Sequence, residues 1–278
     1  MQVGLALKDP PLGDVPRLAR QAESQGLAYL LFPELSIVGG PVTGRDPFVA
    51  SAAALSTTSR LRVGPGVVGT VFRPARHMAL AAASAQELSQ GRFVLGCGVS
   101  HQAYADQLGV PYPSSPLAHA RAYVDELRRL SRAELAFGRG FPLWLAALGD
   151  RMMAVAAEHA DGVLLNWVTP AWVRRARERI DQQAPTRPTL GVFLRVDEPD
   201  ALVAQADRYA TIFPNYARHF RNQGLSDPAD VAAGTCAPLT DRLWGRVAEY
   251  ERAGADAVLL YPADAGPAGI EKLLAKER

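Results

Sequence analysis

The sequence predicts a single (β/α)8 barrel that spans residues 1–278 as one domain. Eight short apolar segments alternate with helical patterns, which is typical of a parallel sheet with helical crossovers. The segments are nearly continuous apolar runs, as expected for strands buried on both faces. In residues 91–101, a glycine after a helix is followed by an apolar run, a glycine-rich end and the polar pair Ser100 and His101. This stretch has the features of one barrel unit at its active end.

The first half of the chain contains four predicted strands, at residues 3–7, 27–32, 61–68 and in the run that begins at Phe93. Asp14 is predicted to cap the first helix, which ends at Gly26. A glycine-rich loop is predicted over residues 38–44. The pair Asp46–Pro47 indicates the start of a second helix over residues 48–55. A third helix is predicted to end near Leu88.

The second half supplies the remaining strands, at residues 142–147, 162–165, 189–194 and 255–261. A loop that carries Pro111, Pro113 and Pro116 leads into a helix over residues 117–130. Further helices are expected over 151–159, from Thr169–Pro170 onward, and near 269–276. The interval from 198 to 254 exceeds one crossover, so it is predicted to hold extra helices, including one over 201–223. These could cover the mouth of the barrel.

Composition describes an ordinary globular protein, with 48% hydrophobic and 21% charged residues. A net charge of +2 argues against nucleic acid or a membrane surface as a partner. Cys97 and Cys236 are far apart and suggest neither a zinc site nor a disulfide framework. No leader segment is recognised, and no apolar run approaches about 18 residues, so a cytoplasmic location is expected. The arginines within 174–179 are interpreted as the solvated face of one helix.

Two glycine-containing motifs are candidates for ligand contact. Residues 64–69 match GxGxxG, but the match lies within a strand and Arg73–Pro74 follows, so a dinucleotide fingerprint is disfavoured. Residues 148–151 lie at a strand-to-helix turn, where backbone N–H groups could bind a phosphate. A plain capped turn explains them equally well, and an inward-pointing Asp150 would repel an anion.

Among the histidines, none has a metal-ligand spacing. His101 lies just beyond a strand end, where barrel enzymes keep their chemistry, and is the leading catalytic candidate. His119 is expected to be solvated and His159 to be structural. Glu34, at the end of the second strand, is a second candidate acid, with a helix cap or a salt bridge as its alternative role. Candidate pocket walls are Trp167, Phe213 and Tyr216.

Several blocks of the chain resemble the luciferase-like monooxygenase superfamily. They are residues 76–77, 88–101, 108–112, 144–153, 160–163 and 253–258. The Gly-Val-Ser-His end of the second block, followed by Leu-Gly-Val-Pro, is most similar to the branch that uses the deazaflavin coenzyme F-420. FMN-using relatives share the scaffold.

This resemblance implies a luciferase-like barrel that binds a flavin or deazaflavin at its C-terminal mouth, often as a homodimer. It implies a non-prolyl cis peptide at Gly66–Val67. The resemblance implies contacts between the cofactor ring and the backbone of Gly66, Val67, Val68, Gly69, Gly96, Cys97 and Gly98. It implies that the cofactor phosphate lies at Gly149, Asp150 and Arg151, and that Ala147 and Leu148 also contact the cofactor. A carboxylate replaces His101 in one sugar-phosphate branch, so His101 could act as a proton donor.

Four functions remain open from the sequence. The first is an oxidoreductase that transfers a hydride between F-420 and a small organic substrate, with an imidazole of near-neutral pKa at His101 moving the proton. The second is an FMN-dependent monooxygenase that uses molecular oxygen. The third is a flavin-binding protein without turnover. The fourth, a sugar-phosphate barrel enzyme without a redox cofactor, is disfavoured because no lysine or carboxylate pair stands at a strand end.

Overall fold

Parallel strands and helices alternate along the chain in a computed structural model that describes residues 1–34, 44–133, 140–262 and Leu273. The strands are β1 (Gln2–Ala6), β2 (Tyr29–Phe32), β3 (Arg62–Pro65), β4 (Val68–Gly69), β5 (Leu95–Gly98), β6 (Leu143–Ala146), β7 (Gly162–Asn166), β8 (Thr189–Asp197), β9 (Ala237–Pro238) and β10 (Ala257–Tyr261). The helices are α1 (Val15–Ser24), α2 (Pro47–Leu55), α3 (Ala75–Leu88), α4 (Gln102–Leu108), α5 (Pro116–Ala133), α6 (Asp150–His159), α7 (Pro170–Gln183), α8 (Pro199–Ile212), α9 (Pro214–Asn222), α10 (Pro228–Thr235) and α11 (Leu243–Arg252).

The strands form a barrel in the order β3-β2-β1-β10-β8-β7-β6-β5-β4. A parallel bridge between Val63 and Phe93 closes the ring. β3 and β4 are two halves of the third barrel strand, which was predicted as one continuous segment. They are separated by Gly66–Val67, whose peptide bond is cis. The predicted (β/α)8 barrel and the predicted cis peptide are therefore confirmed.

The barrel interior is filled by a cluster of large side chains that includes Leu31, Trp144, Leu164, Phe193 and Leu259. Gly162 makes room for this cluster, because a Cβ there would lie 2.4 Å from the Trp144 ring. A second apolar layer lies between the barrel wall and the surrounding helices. Strands buried on both faces explain the continuous apolar runs in the sequence. Since the interior is packed, ligand space lies above it, at the C-terminal ends of the strands.

Two helix starts test the predicted caps. The side chain of Asp46 accepts hydrogen bonds from the backbone N–H groups of Phe48 and Val49, which confirms that it begins α2. Asp14 precedes α1 but accepts no capping hydrogen bond, so that prediction is wrong. Its own backbone is already in the helical region, and its carboxylate lies 3.9 Å from Arg17 instead.

The fourth barrel strand is displaced relative to its prediction. β5 begins at Leu95 and contains Gly96, Cys97 and Gly98, which were expected to form a rim after the strand. Directly after His101 the chain forms α4, where only a loop was predicted. Gly109, at φ 64°, ends this short helix in the left-handed conformation.

The long segment before β10 contains two helices where residues 201–223 were predicted as one. The break falls at Phe213, because Pro214 lacks an N–H and disfavours a helical conformation of the residue before it. α10 and β9 follow, and β9 pairs with the end of β8 through Val196 and Ala237. α8 and α9 lie at the mouth of the barrel. The predicted loop at 38–44 and helix at 269–276 lie outside the described residues, apart from Gly44 and a helical Leu273.

Within the described ranges, no helix is long and apolar enough to cross a membrane. The same ranges contain no cluster of three or more potential metal ligands. Cys97 and Cys236 are both free and buried, and burial raises their thiol pKa values to about 12 and about 11. The predicted homodimer and cytoplasmic location stay predictions.

Candidate functional site

A cavity of about 630 Å³ opens at the C-terminal ends of the barrel strands. Strand ends and the bulge between β3 and β4 supply one side of it, and α8 and α9 supply the other. Its lining from the strand side includes Glu34, Gly66, Val67, Gly69, Gly98, Ala147, Leu148, Asn166 and Arg195. Its lining from the helical side includes Tyr209, Phe213, Tyr216 and His219. The long segment before β10 therefore forms a wall of the candidate site.

The bulge is held in place by Glu34. The Oε2 atom of Glu34 accepts a hydrogen bond from the backbone N–H of Gly69 at 2.7 Å. Its Oε1 atom accepts from Arg73 Nε at 3.0 Å, and Arg73 also contacts Asp46 at 2.6 Å. Burial raises the pKa of Glu34, against the opposing effects of the Gly69 N–H and Arg73. Both oxygens are thus occupied by structural partners, which favours the salt-bridge role over that of a proton donor.

Glycines give the bulge a bare surface. A Cβ at Gly69 would lie 2.4 Å from the Phe72 ring, and one at Gly98 would lie 3.2 Å from the Ala146 Cβ. Gly98 and Gly69 pair with each other in the ladder between β4 and β5. Protein atoms already occupy the place of each Cβ, so these two glycines line the cavity with backbone atoms alone.

His101 lies immediately after the β5 end and lines the same cavity. Its ring is surrounded by aromatic side chains, with centroids of Phe213 at 4.3 Å and of Tyr104 and Tyr216 at 5.6 Å. Burial lowers the pKa of His101 to about 4. The near-neutral pKa assumed from the sequence is therefore wrong, since removal of the ring from water disfavours the imidazolium. At neutral pH this residue is a neutral imidazole.

A second cleft, of about 940 Å³, adjoins the first through Pro116, Gly149 and Met152. It contains the start of α6, where Gly149 precedes the helix without a side-chain cap. Its cationic lining consists of Arg151, Arg175, Arg179 and Arg218. Unpaired backbone N–H groups at a helix start and nearby arginines together attract anions.

The arginine-rich helix is not simply a solvated face, as the sequence suggested. Arg177 is 7% exposed and donates to the Pro188 carbonyl oxygen at 3.1 Å. Arg175 and Arg179 line the second cleft. Arg179 also forms an ion pair with Asp150, which offsets the negative charge that Asp150 brings to the helix start.

Not every predicted contact residue reaches a cavity. Val68 and Cys97 are fully buried in the barrel wall, and neither lines the two cavities. Gly96 is also in the wall, where a Cβ would lie 2.4 Å from the Pro65 carbonyl oxygen. This glycine allows β3 and β5 to approach each other. The other predicted residues, His101, Glu34, Gly66, Val67, Gly69, Gly98, Ala147, Leu148, Gly149, Asp150 and Arg151, line one cavity or the other.

The remaining sequence expectations divide between site and scaffold. Phe213 and Tyr216 line the cavity as predicted, whereas Trp167 is buried behind it. His159 forms a scaffold contact with Asp125 at 2.7 Å. His119 was expected to be solvated, but it is half-buried and its Nε2 lies 2.9 Å from the Thr70 hydroxyl.

Arg195 and Asn166 were not recognised from the sequence. Both stand at the C-terminal ends of strands and line the cavity. A signal for Arg195 was present, because it is a charged residue within an otherwise apolar run at a strand end. The prediction ended that strand at residue 194, three positions too early, and so left Arg195 out of it.

The match to known proteins agrees with this geometry. The profile of the luciferase-like monooxygenase family matches residues 2–236. The chain belongs to this family. Among family relatives, a 5,10-methylenetetrahydromethanopterin reductase of Archaeoglobus fulgidus is 31% identical over 140 residues, which cover 45% of this chain and 42% of the relative. A putative coenzyme F-420-dependent oxidoreductase of Mycobacterium tuberculosis is 29% identical over 170 residues, which cover 50% and 49%.

The match thus spans about half the length of these curated relatives. Over nearly the whole chain, the fold matches a solved F-420-dependent secondary alcohol dehydrogenase in complex with an F-420–acetone adduct. The TM-score is 0.77 at 16% identity, covering 98% of this chain and 97% of that one. This likeness confirms the luciferase-like barrel.

Proposed function

We propose that this family member is an oxidoreductase that transfers a hydride between coenzyme F-420 and a small organic substrate. The observation that carries the proposal is the pair of connected cavities, one glycine-lined and largely apolar and the other rich in arginine. A flat ring with a long anionic side chain needs both environments, and it needs them side by side. The F-420-dependent relative of Mycobacterium tuberculosis adds support from sequence.

The residues present fit such a cofactor. Gly66, Val67, Gly69 and Gly98 offer the ring a bare backbone surface. The backbone N–H groups that begin α6 after Gly149 suit the phosphate. The F-420 side chain carries carboxylates beyond its phosphate, whereas FMN carries a phosphate alone. The arginines of the second cleft therefore favour F-420.

When bound in its reduced form, F-420 supplies a hydride to an electron-poor carbon. His101 faces the same cavity and, as a neutral imidazole, can donate a hydrogen bond to a carbonyl oxygen or accept a proton from an alcohol. Phe213 and Tyr216 limit the access of water to this position. Glu34 acts as a positioning residue, because its carboxylate fixes the Gly69 N–H of the bulge.

Two further functions remain candidates. The family description, luciferase-like monooxygenase, supports FMN and molecular oxygen as the alternative chemistry. A flavin-binding protein without turnover would use the same cavities, and it would tolerate replacement of His101. The predicted homodimer belongs to this proposal as well.

The test is a parallel fluorescence titration of the purified chain with F-420 and with FMN. We expect micromolar binding of F-420 and at least tenfold weaker binding of FMN. The double variant Arg175→Gln, Arg218→Gln should remove most of that preference, because each lost ion pair with the cofactor is worth about 1 kcal/mol at a partly exposed site. The variant Arg252→Gln, on the surface helix α11, is the matched control. Tighter binding of FMN would favour the monooxygenase, and binding of neither would refute the proposal.

A further inference from the structure

Arg195 is a buried cation on the lining of the first cavity. It lies near the end of β8 and is 3% exposed. Its guanidinium packs among the rings of Trp167, Tyr209 and Tyr261, at 4.6, 4.5 and 4.5 Å from their centroids. Within the part of the chain that the structure describes, it forms no ion pair with a carboxylate. Aromatic faces compensate only part of the cost of removing a charge from water.

The hydrogen bonds of Arg195 leave donors unused. Its Nη2 donates to the Tyr209 hydroxyl at 2.8 Å, and its Nη1 donates to Gln205 Oε1 at 3.3 Å. Its Nε is buried and has no partner within the described ranges. A guanidinium has five N–H donors, and both of these partners are neutral. A carboxylate complements the guanidinium in charge, and it can accept from N–H donors that these two bonds leave unused.

Asn166 provides a second unused polar group on the lining of the same cavity. One end of its side-chain amide bonds to the Tyr216 hydroxyl at 2.9 Å. Its Oδ1 atom, which can only accept a hydrogen bond, is buried and has no partner among the described residues. Buried polar groups in folded proteins are normally paired, so unpaired ones on a cavity lining point to a ligand. Arg195 needs an acceptor on the ligand, whereas the Asn166 oxygen needs a donor, such as a hydroxyl group elsewhere on the same ligand.

These groups connect to His101 through two tyrosines. The His101 and Tyr216 rings are 5.6 Å apart, and the Tyr216 and Tyr209 rings are 4.9 Å apart. Tyr209 in turn accepts the hydrogen bond from Arg195. We propose that Arg195 receives a carboxylate of the substrate, so that this chain acts on a small organic acid whose reacting carbon lies toward His101. The placement of the reacting carbon depends on the proposed function, whereas the assignment of Arg195 as a carboxylate receptor does not.

The test compares benzoate with benzamide, which share a shape and differ in charge. Binding of each to the full chain is measured by calorimetry, with and without F-420. We expect benzoate to bind at least tenfold more tightly, as for a charge-assisted pair in a buried site. Arg195→Met should abolish this preference while it preserves the packing of the side-chain stem. Arg252→Gln, on the surface helix α11, is the control and should leave the preference unchanged.

Equal affinity for the two probes in the wild type would overturn the proposal. So would a preference that survives Arg195→Met, or one that is lost in Arg252→Gln. If Arg195→Met does not fold, Arg195→Lys replaces it in the test. Benzoate should bind Arg195→Lys several-fold more weakly than the wild type, because an ammonium cannot form a bidentate pair. Unchanged affinity would refute the assignment of Arg195 as the receptor. An intact benzoate preference without F-420 binding would refute the proposed function alone. F-420 binding without a benzoate preference would refute the receptor alone.

Discussion

Replacing Glu34 by glutamine separates a positioning role from a catalytic one. The carboxylate accepts hydrogen bonds from the Gly69 N–H at 2.7 Å and from Arg73 at 3.0 Å. A carboxamide keeps one acceptor oxygen, so its NH2 group must face another donor, either Gly69 or Arg73. Losing one charge-assisted hydrogen bond costs about 1.5–3 kcal/mol.

The expected cost stays below the roughly 3–5 kcal/mol for breaking a buried ion pair. Arg73 retains its contact with Asp46 at 2.6 Å. Removal of the buried Glu34 charge also removes the desolvation cost of that charge, which offsets part of the loss. We expect a loss of about 2 kcal/mol, which lowers Tm by roughly 4–8 °C in a chain of this size. Affinity for F-420 should fall about tenfold, because Gly69 lines the cavity and loses its anchor.

The assay combines thermal unfolding, an F-420 titration and turnover with saturating cofactor. Asp46→Asn is the matched control, since it weakens the contact with Arg73 but retains an N-cap for α2 and does not touch Gly69. It should cost less than about 1 kcal/mol and leave F-420 affinity unchanged. If Glu34→Gln retains normal Tm and cofactor affinity but loses turnover by about 100-fold or more, Glu34 is a proton donor and the positioning argument is refuted.

Three further predictions follow from single contacts. Gly96→Ala should destabilise the barrel by several kcal/mol or prevent folding, because its Cβ would lie 2.4 Å from the Pro65 carbonyl oxygen; Gly149→Ala, with nothing within 4 Å, should unfold normally yet bind F-420 more weakly. Oxidation of an alcohol substrate by the wild type should stay constant from about pH 8 down to about pH 6 and fall only toward pH 4, since burial lowers the pKa of His101 to about 4 and protonation removes the base. Burial alone would raise the pKa of Glu23, but the backbone N–H groups of residues 59–61 outweigh it and lower that pKa. Glu23→Gln should therefore cost about 1 kcal/mol at pH 7 in denaturant unfolding, and the difference should vanish as the pH falls through the lowered pKa.

Each of these has a contrary outcome. Equal stability of Gly96→Ala and wild type would mean that β3 and β5 can separate at Pro65. Half-maximal oxidation near pH 6.5 would show that His101 titrates as in water. A stability difference for Glu23→Gln that persists in acid, where both side chains are neutral, would assign the effect to packing instead of charge.

The sequence was sufficient to predict the barrel, because strands that are buried on both faces appear as continuous apolar runs. It was also sufficient to predict much of the cavity lining, since Gly98 and His101 could be placed at or just after the end of a predicted strand. It failed where backbone geometry depends on neighbours. Gly96 was predicted to contact the cofactor, but the absence of a Cβ at this position allows the Pro65 carbonyl oxygen to lie close to it. The pKa of His101 depends on Phe213, which lies far away in sequence and could not be paired with it from spacing alone.

Two features that were not predicted had a signal in the sequence. Phe213 precedes a proline, which predicts the break between α8 and α9. Arg195 interrupts an apolar strand, which marks it as exceptional among residues 189–197. By contrast, the orphan end of Asn166 is visible only in three dimensions, because its other end is satisfied by Tyr216 from a distant helix.

The most direct test of the account is anaerobic turnover with reduced F-420. The purified chain is mixed with the reduced cofactor and a panel of small aldehydes, ketones and imines with and without a carboxylate, and formation of oxidised F-420 is followed by absorbance. The account predicts oxidation by at least one of these acceptors without oxygen, and a loss of about 100-fold or more in His101→Ala. Oxidation that requires molecular oxygen, or no oxidation by any acceptor, would contradict it.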